Sequence, residues 1–252
     1  LTYDRRTQDI VRASVKGTNM LVTRDVAKDP TQTSIIATYK ALVKPIASRV
    51  VGHITTDVTR GTTSGSGESA LGDLIADAMA ADPSVVTGGK KPDLALMNPG
   101  GIRADLTYAA SPYSEAPGDI TFDEAFTVQP FNNYLVTLDL TGQQILDLFT
   151  QQVTGLNAGT ANKILQVSSS VHYTMGATGA VPGSVTINGV ALNPSATYRV
   201  VTNNFLADGG DNFPSFKLGT NRYFGGLDID AFAAYLTASS PYTPGALTRI
   251  VK

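Results

Sequence analysis

Cysteine and tryptophan are missing from this 252-residue chain, and histidine occurs only twice. Without cysteine there is no disulfide framework, no thiolate zinc or iron–sulfur site and no cysteine nucleophile. The compartment stays open, because an exported protein does not require disulfides. His53 and His172 lie far apart, each in a segment that reads as a strand, and no HExxH or HxH pair occurs. Imidazole-rich metal chemistry therefore has few ligands to draw on. No GxSxG elbow supports a Ser-His-Asp triad. An excess of one charge is lacking too. Lys and Arg number 19 against 21 Asp and Glu, a formal net charge of -2. That leaves no basic stripe for nucleic acid and no polybasic membrane patch. No apolar run approaches the roughly 20 residues that span a bilayer. The chain opens at Leu1-Thr2-Tyr3 without an initiator Met or signal sequence, as a trimmed product would, so missing targeting signals carry no weight.

What is present is a mixture of periodicities. The length suffices for a substantial core in one large domain, or in one domain with an extra element. Thr7–Val15 alternates as a strand. Asp29 then caps a helix with Pro30 at its first position, and Ile35, Ile36, Tyr39, Leu42, Val43 and Ile46 recur at helical spacing. A strand is expected at Val50–Val58 and a small, polar loop at Thr62–Glu68. Leu71, Leu74, Ile75, Ala78 and Met79 mark a second helix, which Asp82-Pro83 stops. Asp93–Met97 reads as a buried strand, Thr121–Phe126 as a short helical turn and Asn133–Leu140 as a strand. Thr141 with Gln144 forms a capping box for a helix bearing Ile145, Leu148 and Phe149. Ile164–Met175 looks extended. Asn188-Gly189 signals a type I′ hairpin. Tyr198–Thr202 is a further strand, and Asp228 is the expected cap of a last helix over Ile229–Leu236. The pattern predicts an α/β (or α+β) fold, a mixed β-sheet with flanking helices.

Three loops sit at predicted strand ends, where sheet proteins tend to place ligands. In Asn98-Pro-Gly-Gly-Ile-Arg103, the glycines up to Gly101 permit close backbone approach, the Asn amide can read a donor–acceptor edge, and the Arg fork suits phosphate. Gln129-Pro-Phe-Asn-Asn133 offers an aromatic ring held after proline. Phe205-Leu-Ala-Asp-Gly-Gly-Asp211 offers a ring and a carboxylate on a tight turn. Each alone is compatible with an ordinary turn or a core aromatic. Together they suit a nucleoside phosphate, with rings on the base, Asn at its edge, Asp on the sugar and Arg on the phosphate.

These motifs resemble a known family. Gly67–Ala78 (GESALGDLIADA), Asn98–Arg103, Gln129–Asn133 and Ala207–Asp211 follow the order and spacing of the 5′-nucleotidase C-terminal domain, the substrate-binding domain of the 5′-nucleotidase/UDP-sugar hydrolase family. The match extends over roughly residues 50–240. The resemblance implies that residues 1–48 are the end of a preceding domain and an interdomain connector helix, and that residues 49–252 are the substrate-binding domain. It implies a nucleotide or nucleoside as ligand and, as partner, an N-terminal metallophosphoesterase domain carrying two divalent metal ions and the chemistry. None of that partner's motifs is in this chain, so the resemblance implies that the chain holds no metal and no catalytic residue of its own. Position by position, the resemblance makes Phe131 and Phe205 the two faces of a base sandwich. Asn98 then contacts the purine edge, with Asn133 as polar support. Arg103 meets the phosphate and Asp211 the ribose hydroxyls, with Gly209 and Gly210 giving room. The family places another arginine just before the glutamate of the first motif, where this chain has Gly67. Arg60, seven residues upstream, is the candidate substitute through the 61–67 loop.

The resemblance further implies an extracellular, cell-surface or periplasmic location. Two other readings stay open: a stand-alone nucleotide-binding or surface module, and half of a related hydrolase for a different phosphoester or sulfur ester.

Overall fold

A computed structural model describes residues 1–61, 65–159 and 163–252. Thr62–Ser64, within the expected Thr62–Glu68 loop, lie outside the described residues. The chain divides into two compact units, Leu1–Val43 and Lys44–Lys252.

In the first unit, Thr7–Val15 is not the single strand its alternation suggests. β1 (Tyr3–Asp4) and β2 (Asp9–Ile10) form a small antiparallel hairpin, and a 3-10 turn follows at Arg12–Ser14. Gln8 sits at a φ of 55°, so the chain reverses where a strand would have run on. Helix α1 spans Pro30–Ala47, its last four residues belonging to the second unit, with the Asp29 carboxylate accepting from the Gln32 N–H at 2.8 Å. The helical spacing is realised, yet Ile35, Ile36, Tyr39, Leu42, Val43 and Ile46 are all exposed, and only Ala47 is buried.

The second unit is built on a five-stranded mixed sheet. The remaining elements, in chain order, are β3 (Val50–His53), α2 (Ala70–Ala81), β4 (Leu94–Met97), β5 (Asp119–Thr121), α3 (Phe122–Val128), β6 (Tyr134–Thr141), α4 (Gly142–Gln151), β7 (Gln166–Val167), β8 (Val171–Gly176), β9 (Gly179–Ala180), β10 (Thr186–Ile187), β11 (Val190–Ala191), β12 (Thr197–Asn203), α5 (Asn204–Ala207), β13 (Thr220–Leu227), α6 (Asp228–Ala238) and β14 (Ile250–Val251). The central sheet has the order β13-β6-β12-β4-β7. β4 is parallel to β12, while β6 and β7 run antiparallel to their neighbours. The predicted α/β fold with a mixed sheet and flanking helices is the fold observed.

β4 is buried at every position because both faces of the sheet are covered. Ala95 and Met97 join a core with α2, α3 and α6, and Leu94 and Leu96 join a second core with α4 and β8. Side chains that alternate across a strand divide in this way between two layers. β8, β10, β11 and β14, with β9 paired to β8, form a second sheet, and β3 pairs with β5. Between β10 and β11, Asn188 and Gly189 take φ of 51° and 75°, the left-handed pair that a type I′ turn requires. The expected extended run Ile164–Met175 is divided between two sheets, β7 beside β4 and β8 beside β10 and β14. β13 was not legible in sequence. It is an edge strand with register shifts on β6, and Gly225-Gly226 interrupts its alternation.

Caps fix the helix starts that position the loops. Thr141 and Gln144 make the reciprocal box on α4, and Thr121 with Glu124 makes another on α3. Asp228 is the first residue of α6 rather than its cap, which is Leu227 without a side-chain bond. The motif at Gly67–Ala78 is an anchor. Glu68, fully buried, accepts the backbone N–H groups of Arg249 and Ile250 at 3.0 and 2.9 Å, seating β14. Ser69 caps α2 and also donates to Gln166. A Cβ on Gly72 would lie 2.3 Å from that glutamine, so only glycine lets α2 approach β7. Arg249 forks onto Asp77 at 2.6 and 3.0 Å. Burial pushes the neighbouring Asp73 carboxyl up to about 8, against the pull of Arg249.

Loss of the α4 cap is a direct check on this scaffold. Thr141→Ala removes the acceptor of the Gln144 N–H, and the substitution is expected to cost about 1 kcal/mol in urea unfolding.

Candidate functional site

The strand directions gather the loops. β4 and β12 are parallel, so Asn98 and Asn203 leave the sheet at one edge. β6 is antiparallel to β12, with Leu135 opposite Asn203, so Phe131–Asn133 enters at that same edge. β7 is antiparallel to β4, with Gln166 opposite Met97, so Lys163 lies just past the end of β4. The result is a cavity of about 440 Å³, a size usual for small-molecule sites.

Its wall contains most of the sequence-predicted residues: Asn98, Gly101, Arg103, Phe131, Asn133, Phe205 and Asp211, joined by Gly100, Lys163 and Asn203. Phe131 is 52% exposed and Phe205 45% exposed, so neither ring belongs to the core and both open onto one cavity. Phe205 is carried by α5, a single turn whose N-terminus is capped by Asn203 accepting from the Leu206 N–H at 2.8 Å. Gly210 does not line the cavity. A Cβ there would lie 2.5 Å from the Phe205 ring, so its glycine supports the ring's position. Gly209 sits at a φ of 80° and turns the chain from α5 toward Asp211.

The polar groups form a chain. Asn203 donates from Nδ2 to Asn98 Oδ1 at 3.0 Å, and Asn98 donates from Nδ2 to Asp211 Oδ2 at 2.8 Å. Lys163 Nζ meets the other oxygen of Asp211. Asp211 itself is left-handed, with φ of 54°, a region asparagine and aspartate enter more readily than most residues. Its backbone carbonyl accepts from Asn157 at 3.0 Å, which fixes the strained turn. Asn98 is thus buried and committed at both ends of its amide, with one N–H left.

Arg103 is exposed. Its guanidinium carbon lies 5.8 Å from the Phe131 ring centroid, and one nitrogen donates to the Gly100 carbonyl at 3.2 Å. No carboxylate of the described residues lies within ion-pair distance of it, so it faces the cavity mouth as an unneutralised cation. Arg60 is not part of the cavity wall. It donates to the Ile102 carbonyl at 3.2 Å and lies 4.0 Å from the Asp105 carboxylate, behind the Asn98–Arg103 loop. Asn133 donates to the buried Asp228 at 3.1 Å. Burial pushes the Asp228 carboxyl up to about 6, opposed by the bonds from Asn133 and the Ile229 backbone.

Comparison with known proteins places this geometry. The family model described as 5′-nucleotidase, C-terminal domain, matches residues 50–218. The chain belongs to the 5′-nucleotidase C-terminal domain family. Among relatives, Endonuclease YhcR of Bacillus subtilis is 31% identical over 238 residues, which is 92% of this chain and 18% of that protein. Cell wall protein Lmo0130 of Listeria monocytogenes is 31% identical over 207 residues, 77% of this chain and 25% of that protein. Among solved structures, the 5′-nucleotidase precursor from Thermus thermophilus superposes with a TM-score of 0.71 at 30% identity, covering 99% of this chain and 48% of that one. The chain spans about a quarter or less of the two curated relatives' length.

Members of the 5′-nucleotidase family imply divalent metals. Among the described residues no group of three or more His, Asp or Glu is placed to hold one, so the donor set for that chemistry does not fit this domain. His53 pairs with Asp119 at 2.5 Å on the short β3–β5 sheet, and His172 is exposed on β8. No described helix is long and apolar enough to cross a membrane.

Lys163 and Asn203 are the wall residues that the sequence did not single out. Asn203 carried a readable signal, since an Asn that ends a strand before a short apolar turn is a cap candidate. Lys163 carried none, because its place depends on β7 pairing with β4.

Asp228 makes the stability of the fold sensitive to pH. Its folded value lies above the ordinary 3.8, so its contribution to stability is full below about pH 4 and is lost as pH rises through about 6. Asp228→Asn removes that titration. Between pH 5 and 7 the unfolding free energy of the variant is expected to gain about 1 kcal/mol relative to the parent, measured by denaturant titration at both values.

Proposed function

We propose that this domain is the nucleotide-recognition half of a 5′-nucleotidase-type phosphohydrolase, a phosphoric monoester hydrolase whose bond-breaking machinery lies in an N-terminal dinuclear-metal domain of a longer protein. The observation that carries the reading is the sharing of one cavity by two half-exposed phenylalanines, an ordered carboxylate and an unneutralised arginine. The base stacks on Phe131 and Phe205, where aromatic contact adds about 0.5–1.5 kcal/mol beyond the area buried. Asn98 offers its remaining N–H to the base edge. Asp211 accepts from the sugar hydroxyls, and Arg103 at the mouth meets the phosphate. Residues 1–48 are then the end of the preceding domain and the connector, and 49–252 the substrate-binding domain. Arg60 reaches the ligand only if it leaves Ile102 and Asp105.

Holding the phosphate in register for a second domain is itself a catalytic contribution, since positioning replaces an encounter between separate molecules. The metal domain supplies the attacking water when its ions are bound. The name of the Listeria relative, a cell wall protein, supports placing this protein outside the cytoplasm or at the cell surface.

Two measurements test the reading. AMP or adenosine at millimolar concentration is expected to raise the thermal midpoint of the 252-residue chain, and Phe205→Ala to abolish that rise while leaving the unliganded midpoint within a few degrees. Absence of any shift for the parent, or an unaltered shift for the variant, refutes the stacking assignment. The purified chain with added Mn²⁺ or Zn²⁺ is expected to release no phosphate from AMP, and sustained turnover would show that the domain carries chemistry of its own.

A further inference from the structure

Lys163 has no role in the reading above, yet it is one of the most constrained cations in the molecule. Its side chain is three-quarters buried, with 24% exposed, and it lines the same cavity as Phe131 and Phe205. Its ammonium sits on one oxygen of Asp211 while Asn98 holds the other. Each carboxylate oxygen keeps a second lone pair, and the ammonium keeps two N–H donors. The carboxylate can only accept and the ammonium can only donate. A vicinal diol has hydroxyls that do both, so it can donate into Asp211 and accept from Lys163 at once. A lone carboxylate already accepts from both hydroxyls of a diol, and the ammonium adds donors for the acceptor sites of those same hydroxyls, so the pair engages each hydroxyl both as donor and as acceptor.

We infer that Lys163 is a specificity-determining residue that, together with Asp211, forms a receptor for a cis-diol and so selects ribosides over deoxyribosides. The inference rests on the nucleotide-binding reading of this cavity. The rigidity needed for such selection is supplied locally. Asp211 is fixed in the left-handed region and held through its carbonyl by Asn157, and the backbone two residues beyond Lys163 is tied into the core by the Leu165 N–H on Gln152. A site built to bond hydroxyls rejects an analogue that lacks one, because its polar groups are then left unpaired.

The test is calorimetric titration of the 252-residue chain with adenosine, 2′-deoxyadenosine and AMP, repeated for Lys163→Met and Lys163→Arg. The parent is expected to prefer adenosine to 2′-deoxyadenosine by at least about tenfold, the scale of one lost charge-assisted hydrogen bond. Lys163→Met is expected to narrow the preference below about threefold, mainly by weakening adenosine, and Lys163→Arg to keep most of it. Unliganded thermal midpoints identify any variant that fails to fold, and Lys163→Ala, expected to narrow the preference in the same way, replaces Lys163→Met in that case. A preference that is unchanged or larger in Lys163→Met overturns the diol receptor. So does an equal loss for both nucleosides, or a loss confined to AMP, which would make Lys163 a phosphate contact. A parent chain that binds no nucleoside refutes the cavity assignment itself, and a parent that binds beside an indifferent variant refutes only the role of Lys163.

Discussion

One chain of side-chain hydrogen bonds, buried at its two asparagines, holds the cavity together. It runs from Asn203 to Asn98 and from Asn98 to Asp211, where Lys163 closes it on the far oxygen. Its members come from the ends of β12 and β4, the turn after α5 and the approach to β7. Asn98 and Asn203 are withdrawn from water, so breaking a link would strand a polar group where no solvent replaces it. That penalty joins two strand ends, a turn and a loop into one wall. Asn203 extends the constraint to the aromatic ring, because the oxygen of the same amide caps the turn that presents Phe205.

The sequence motifs divide into two physical kinds. Gly67–Ala78 makes no wall of the cavity. Glu68, Ser69 and Gly72 seat β14, cap α2 and let it approach β7, and these are structural tasks. The other motifs present cavity-facing groups with their supports: Arg103 and Phe131 at the mouth, Asp211 within, and Gly210 clearing space for Phe205. A glycine whose Cβ would strike a ring is as specific as the ring itself, although it touches no ligand. The exposed stripe on α1 is a third kind. Its spacing is that of a packing face, yet its apolar side chains are exposed.

The cavity concentrates unlike chemistry in a small volume. A cation over an aromatic ring lies at the mouth, an ion pair in the wall, and an Asn133–Asp228 contact at the side. The burial that raises the Asp228 carboxyl to about 6 also strengthens its bond with Asn133, since both act through the reduced polarity around them.

Local chemistry determined much of this protein. The caps at Asp29, Thr141 and Ser69, the helical stripe of α2, the buried run of β4 and the Asn188-Gly189 turn depend on residues within a few positions of one another. The loops bearing Asn98, Phe131 and Phe205 were marked by breakers after apolar runs, so most of the candidate wall was legible. Tertiary structure decided what depends on which strands become neighbours. The antiparallel seating of β7 on β4 delivered Lys163. The pairing of β13 onto β6 gave a strand that its own pattern hid. Asp228 turned to Asn133 instead of capping its helix, and Arg60 was held behind the loop rather than in the wall. Helical periodicity and capping are short-range, whereas strand neighbours and the partners of a buried charge are chosen by the burial of the whole chain.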